Sequence, residues 1–147
     1  MARRRLHAVA DSTASPEVVF AILADALTWP DWVPALRTSS YERTGSPGPH
    51  GLGAIRRFGL GLGLVSREEV VDFRSPALFS YVILSGFMPV TEYRGDVVLS
   101  ASAGGTRITW DVSYRSWVPG IERALRAAIH RTATKLARQA EHVSSTP

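Results

Sequence analysis

Cysteine is absent from this sequence of 147 residues, which rules out a disulfide framework and any thiolate metal site and leaves the redox compartment open. Lysine occurs once, at Lys135, so the net charge of +4 is carried almost wholly by arginine. The arginines are spread along the chain. Their only clusters are Arg3 to Arg5 and the outer face of the last helical segment, without interleaved aromatics, so the pattern is that of a solvated surface and no nucleic-acid partner is expected. No stretch approaches the ~18 to 20 apolar residues that a membrane helix needs, and no stable membrane insertion is expected. The residues after the N-terminal arginines, Leu6-His7-Ala8-Val9-Ala10-Asp11, are too few and too polar for a signal core. A cytoplasmic location is the default expectation. Histidines are few and isolated (His7, His50, His130 and His142), and no His or carboxylate pair has ligand spacing, so neither a metal nor a cofactor is expected.

What is present is ordinary for one globular domain, residues 1–147, with 45% hydrophobic and 20% charged residues. Near the N-terminus, Ser15 is a good N-cap, Pro16 suits the first helical position, and Glu17 meets the positive end of the helix dipole. Val19, Phe20, Leu23 and Leu27 recur at helical spacing. Trp29-Pro30-Asp31-Trp32 and Pro34 then break the helix, so two short helices with a kink are expected. Strands are read at 4–12, 36–43, 53–58, 65–73, 78–85, 92–100 and 106–115, separated by short Gly, Pro and Ser turns. Connections this short favour antiparallel pairing and exclude a parallel sheet with crossover helices, and the class is α+β.

Two patterns join these elements. In the last strand Ile108, Trp110, Val112 and Tyr114 alternate with Arg107, Thr109, Asp111 and Ser113, one face covered and the other wet. From 118 to 143, Val118, Ile121, Leu125, Ile129, Thr132, Leu136, Ala140 and Val143 fall in one helical stripe. A seven-stranded curved sheet wrapped around a long C-terminal helix follows.

That order resembles the helix-grip fold of the START/Bet v 1-like superfamily. Ala14-Ser15-Pro16-Glu17-Val18-Val19-Phe20, Trp29-Pro30-Asp31-Trp32, the strand and turn from Glu68 to Pro76, Leu78-Phe79-Ser80-Tyr81 and Gly105-Thr106-Arg107-Ile108-Thr109-Trp110 look like the bacterial polyketide cyclase/dehydrase branch of the SRPBCC proteins. The resemblance covers nearly the whole chain and implies an elongated apolar cavity between sheet and helix. Members include aromatase/cyclases, lipid and sterol carriers and hormone receptors, so the fold implies a pocket without fixing a reaction.

Alternation and the helical wheel nominate Trp32, Phe58, Tyr81, Tyr93, Trp110, Leu125, Ile129 and Thr132 as the wall of a site for a hydrophobic lipid, polyketide or other polycyclic or acyl ligand. Pro16, Phe20 and Trp29 read as architecture. Glu68 and Glu69 are adjacent on a strand, so one faces in and one out, and the sequence does not decide which; Arg56 and Arg57 pose the same choice. An inward Glu68 is a candidate general base. The bland alternative is an ion pair with Arg56, Arg57 or Arg67. Tyr81, Tyr93 and Arg56 are the candidate donors if the cavity folds a poly-ketone through enolisation, aldol closure and dehydration. His130 lies off the apolar stripe and is discounted as a base, while Thr132 either bonds its own helix or offers a hydroxyl to a ligand. Gly59-Leu60-Gly61-Leu62-Gly63-Leu64 lacks the following helix of a phosphate loop and reads as a hairpin. It and Gly86-Phe87-Met88-Pro89 are candidate lids. An edge strand or these exposed leucines would serve a homodimer.

Overall fold

The computed structural model describes residues 1–146. In chain order the elements are β1 (Arg4–Ser12), α1 (Pro16–Ala24), a 3-10 helix (Ala26–Asp31), β2 (Thr38–Arg43), β3 (Ile55–Gly61), β4 (Leu64–Arg74), β5 (Leu78–Ser85), β6 (Thr91–Ser102), β7 (Gly105–Arg115) and α2 (Ile121–Ser145). The strands form one antiparallel sheet in the order β1-β7-β6-β5-β4-β3-β2. The first strand therefore lies beside the last, and α2 packs back over β1, β7 and α1. This is the helix-grip arrangement.

The N-terminal turn follows its local chemistry. Ser15 Oγ accepts the amide of Val18 at 3.3 Å, with Pro16 in the first turn. Asp25, at ψ 93°, stops α1, and its carboxylate accepts the amide of Leu27 at 3.1 Å to start the 3-10 helix. The apolar stripe read through Leu27 ends early for this reason, and Leu27 is exposed.

α2 starts later than position 118. Gly120 adopts left-handed backbone (φ 78°) with no side-chain cap, so Pro119 precedes the helix, and both Val118 and Val143 are exposed. The buried stripe runs through Leu125, Ile129, Ala133, Leu136, Ala137 and Ala140. Its small residues let the helix lie close to the sheet. Two buried hydroxyls tie the N-terminal turn down: Ser12 Oγ donates to the Ala137 carbonyl at 2.8 Å and Thr106 Oγ1 to that of Ala14 at 2.7 Å.

On β6 and β7 the alternation is clean, with Tyr93, Gly95, Val97 and Leu99 buried opposite Ile108, Trp110, Val112 and Tyr114. A Cβ at Gly95 would run into the ring of Tyr81, so the glycine makes room for that phenol. β4 is irregular. Its register with β5 shifts between Arg67 and Glu68 and again between Val70 and Asp72, which lets Val70 and Phe73 both reach the core and explains why its apolar residues occur at both parities.

Candidate functional site

A cavity of about 470 Å³ opens between β3 to β6, the 3-10 helix and the N-terminal half of α2. Its volume is in the usual range of small-molecule sites, about 300–1,000 Å³. Trp29 and Phe58 supply aromatic wall, Val33, Leu36 and Ile83 aliphatic wall, and Ala128 and Thr132 the helix side. These last two sit one turn apart on the flank of the α2 stripe, and alanine at 128 leaves space where a larger side chain would fill it. Among the polar lining residues, Tyr93 is buried within the core and Glu68 has only 13% of its side chain exposed.

Behind that pair is a polar layer embedded in aromatics. Arg56 is fully buried. Its Nη2 donates to Glu68 Oε1 at 2.7 Å and its Nη1 to the Leu23 carbonyl at 3.1 Å. Trp29 Nε1 donates to the same carbonyl at 3.1 Å. Leu23 lies in the last turn of α1, where carbonyls lack helical partners and the dipole is negative, so the guanidinium and indole close the helix end. The guanidinium carbon is 4.8 Å from the ring centres of both Trp29 and Phe79, 5.2 Å from Phe58 and 5.7 Å from Tyr81. A planar guanidinium stacks and forks at once, as an ammonium could not. Arg56 Nε finds no partner among the described residues.

The tyrosines extend the layer. Trp110 Nε1 donates to the Tyr81 hydroxyl at 3.1 Å, and the Tyr81 ring centre lies 6.1 Å from that of Tyr93. Burial pushes the Tyr81 phenol well above its ordinary range, and Tyr93 and Glu68 nearby add to the effect. Burial also raises Tyr93, with Glu68 adding and the Tyr81 hydroxyl opposing. Both phenols are therefore neutral donors at physiological pH.

The sequence candidates divide accordingly. Phe58, Tyr93, Thr132 and Glu68 line the cavity; Arg56, Tyr81, Trp110, Leu125, Ile129 and Trp32 are buried but lie outside its lining. For Trp32 the reason is the 3-10 turn, which brings it against Trp29 with ring centres 4.8 Å apart and turns Trp29, not Trp32, to the open space. Leu125 and Ile129 are spent on the helix–sheet core. Glu68 faces inward and is also ion-paired, so the two alternatives posed for it coexist; Glu69 faces outward and meets Arg43 at 3.1 Å. Arg56 is the inward arginine and Arg57 the exposed one. His130 is exposed, and Thr132 Oγ1 donates to the Ala128 carbonyl at 2.9 Å within its own helix. Trp29, Val33 and Leu36 are lining residues that sequence reasoning did not nominate. Ile83 and Leu60 were recoverable, since they share strand parity with Tyr81 and Phe58.

Both glycine-bearing loops border the cavity. Leu60 lines it from the β3–β4 hairpin, whose tip residue Leu62 is fully exposed at φ 57°, and Phe87 and Met88 line it from the β5–β6 loop. At the rim Glu92 is held by Arg3 at 2.9 Å and Arg115 at 2.6 Å. Among the described residues no group of three or more His, Asp or Glu side chains could hold a metal ion, and no helix is long and apolar enough to cross a membrane.

The arrangement recurs in solved structures. A START superfamily protein from Mycobacterium smegmatis superposes with a TM-score of 0.79 at 15% identity, covering 95% of this chain and 98% of that one. Ara h 8.0201 gives 0.76 at 12% identity over 95% and 98%. Norcoclaurine synthase from Thalictrum flavum, solved with dopamine and hydroxybenzaldehyde, gives 0.72 at 13% identity over 99% and 90%. At these identities the likeness establishes the fold. Among curated sequences, uncharacterized proteins of Mycobacterium tuberculosis and Mycobacterium bovis are 26% identical over 106 residues, 71% of this chain. The match spans 62% of the length of those relatives. The family model described as polyketide cyclase/dehydrase and lipid transport matches residues 3–141, and the chain belongs to that family.

Proposed function

We propose that the protein binds a hydrophobic small molecule, of lipid, polyketide or other polycyclic or acyl type, between the sheet and α2. The observation that carries this reading is the cavity itself, a cleft of about 470 Å³ walled by Trp29, Phe58, Leu36, Ile83 and Met88. An apolar space of this size held open in a folded chain forfeits packing contacts that a ligand restores. Phe58, Tyr93 and Thr132 contact the ligand directly; Tyr81, Trp110, Leu125 and Ile129 hold the wall from behind. Native mass spectrometry of the freshly purified protein tests the reading. A co-purified lipophilic molecule, or one-to-one uptake of an added apolar aromatic, supports it, and failure to take up any apolar compound contradicts it.

A second reading, catalysis of poly-ketone cyclisation and dehydration, is favoured by the presence of both Glu68 and Tyr93 in the cavity lining. In it Glu68 takes a proton from a carbon beside a carbonyl and Tyr93 donates to the oxygen, with Arg56 and Tyr81 as positioning residues. Glu68→Gln and Tyr93→Phe then abolish turnover of a poly-ketone while affinity changes by no more than about tenfold. Unchanged turnover in both variants removes the two residues from the chemistry.

A further inference from the structure

The polar end of the cavity has a sign and a hydrogen-bonding pattern, and together they select a ligand group. Arg56 carries the positive charge, yet it is fully buried, absent from the lining, and walled in by Trp29, Phe58, Phe79 and Tyr81. Glu68 is the member of the ion pair that reaches the cavity. One carboxylate oxygen is bound to Arg56 at 2.7 Å, and the other, Oε2, has no hydrogen-bond partner among the described residues. It is a free acceptor.

Tyr93 supplies the opposite function. The Tyr93 hydroxyl has no hydrogen-bond partner among the described residues, so its proton is free for the cavity that Tyr93 lines. The wall thus presents one acceptor and one donor, on the two strands that flank β5. A ligand carbonyl satisfies only the donor. A ligand carboxylate meets the carboxylate of Glu68 in a partly desolvated site, with the compensating guanidinium on the far side, and like charges there repel strongly. A hydroxyl alone carries both functions, a proton to donate to Glu68 and a lone pair to accept from Tyr93. Because Arg56 and Glu68 cancel, no net ligand charge is called for.

We propose that the ligand enters with a neutral hydroxyl, alcoholic or phenolic, as its deep polar group, held by Glu68 Oε2 and the Tyr93 hydroxyl, and that the site discriminates against free carboxylic acids. This rests on the binding reading above. It differs from it in predicting an order among ligands of equal shape.

The test is calorimetric titration of the protein at neutral pH with naphthalene, 2-naphthol and 2-naphthoic acid, compact probes that share one ring skeleton. The expected order is 2-naphthol about tenfold tighter than naphthalene, as one hydrogen bond to a charged acceptor supplies, and 2-naphthoate no tighter than naphthalene. Tyr93→Phe should erase most of the naphthol advantage, read as the ratio of naphthol to naphthalene affinity within that variant. Glu68→Gln should erase it too and raise the affinity for naphthoate, since Arg56 is then uncompensated. Should Glu68→Gln not fold, the unmodified protein and Tyr93→Phe decide the matter alone. Naphthoate binding as tightly as naphthol, or naphthol binding no better than naphthalene, overturns the hydroxyl assignment and leaves the cavity reading standing. No uptake of any of the three overturns the binding reading, and the hydroxyl assignment with it.

Discussion

Along a single strand, β5, the covered face passes from solid core to open cavity. Phe79 is fully buried against Phe20 and Phe73 at edge-on angles, with ring centres 6.2 Å away in each case. Two residues on, Tyr81 is still enclosed, and two further on, Ile83 borders empty space. The filled end is packed by aromatics from α1, β4 and β5, while the open end is faced by Ala128 and Thr132 on α2 and by two loops. The divider is the layer formed by Arg56, Glu68, Tyr81, Tyr93 and Trp110. What the contrast teaches is that the cavity of this chain is created by small residues and loops at one end of the grip, and is given a floor by an arginine-centred polar layer.

The strongest way to break this contrast is to disrupt the divider. Glu68→Ala leaves the Arg56 guanidinium buried and unpaired, and an unfolding free energy about 3–5 kcal/mol lower is expected in denaturant titration. The paired replacement Arg56→Met with Glu68→Leu should recover most of that loss, because a buried ion pair exchanged for apolar side chains of similar volume is often neutral. A single variant as stable as the unmodified protein contradicts the assigned role.

Next comes the contrast itself. Phe79→Ala removes a ring from the filled end and should cost about 3–5 kcal/mol, whereas Ile83→Ala at the cavity wall should cost about 1–2 kcal/mol, since fewer contacts are lost there. Equal costs would mean that the two ends are packed alike. The pH dependence sharpens the same point. Tyr81 and Tyr93 have folded-state values above the ordinary 10.0, so the unfolded chain loses these protons first. The stability they contribute is complete below about pH 10 and falls as pH rises beyond it. Tyrosinate absorbance from these residues should therefore appear together with alkaline unfolding followed by circular dichroism, and titration of both phenols near pH 10 in the folded protein would contradict their enclosure. The smallest effect belongs to Leu62→Ser at the exposed hairpin tip, within about 0.5 kcal/mol by thermal unfolding.

Much of the fold was legible because its signals are local. Ser15 and Pro16 start α1, the alternation through Ile108 to Tyr114 fixes which face of β7 is covered, and β5 spans the residues its flanking turns marked out. The site was less legible, since it depends on how elements meet. Two register shifts in β4 hid which of Glu68 and Glu69 points inward, and the 3-10 geometry after Asp25 exchanged the roles of Trp29 and Trp32. No periodicity tells Leu125, pressed into the sheet, from Thr132, one side of the stripe away and facing the cavity. That distinction is set by where α2 rests.

Ala128 provides the most direct test of the claim that ligands occupy this space. Ala128→Phe places a ring in the cavity from the helix side without touching the filled end. Calorimetric titration with naphthalene should show binding weakened by at least about tenfold, with thermal stability unchanged or raised. Binding that survives in a folded Ala128→Phe variant at the affinity of the unmodified protein would place the ligand elsewhere and contradict the account.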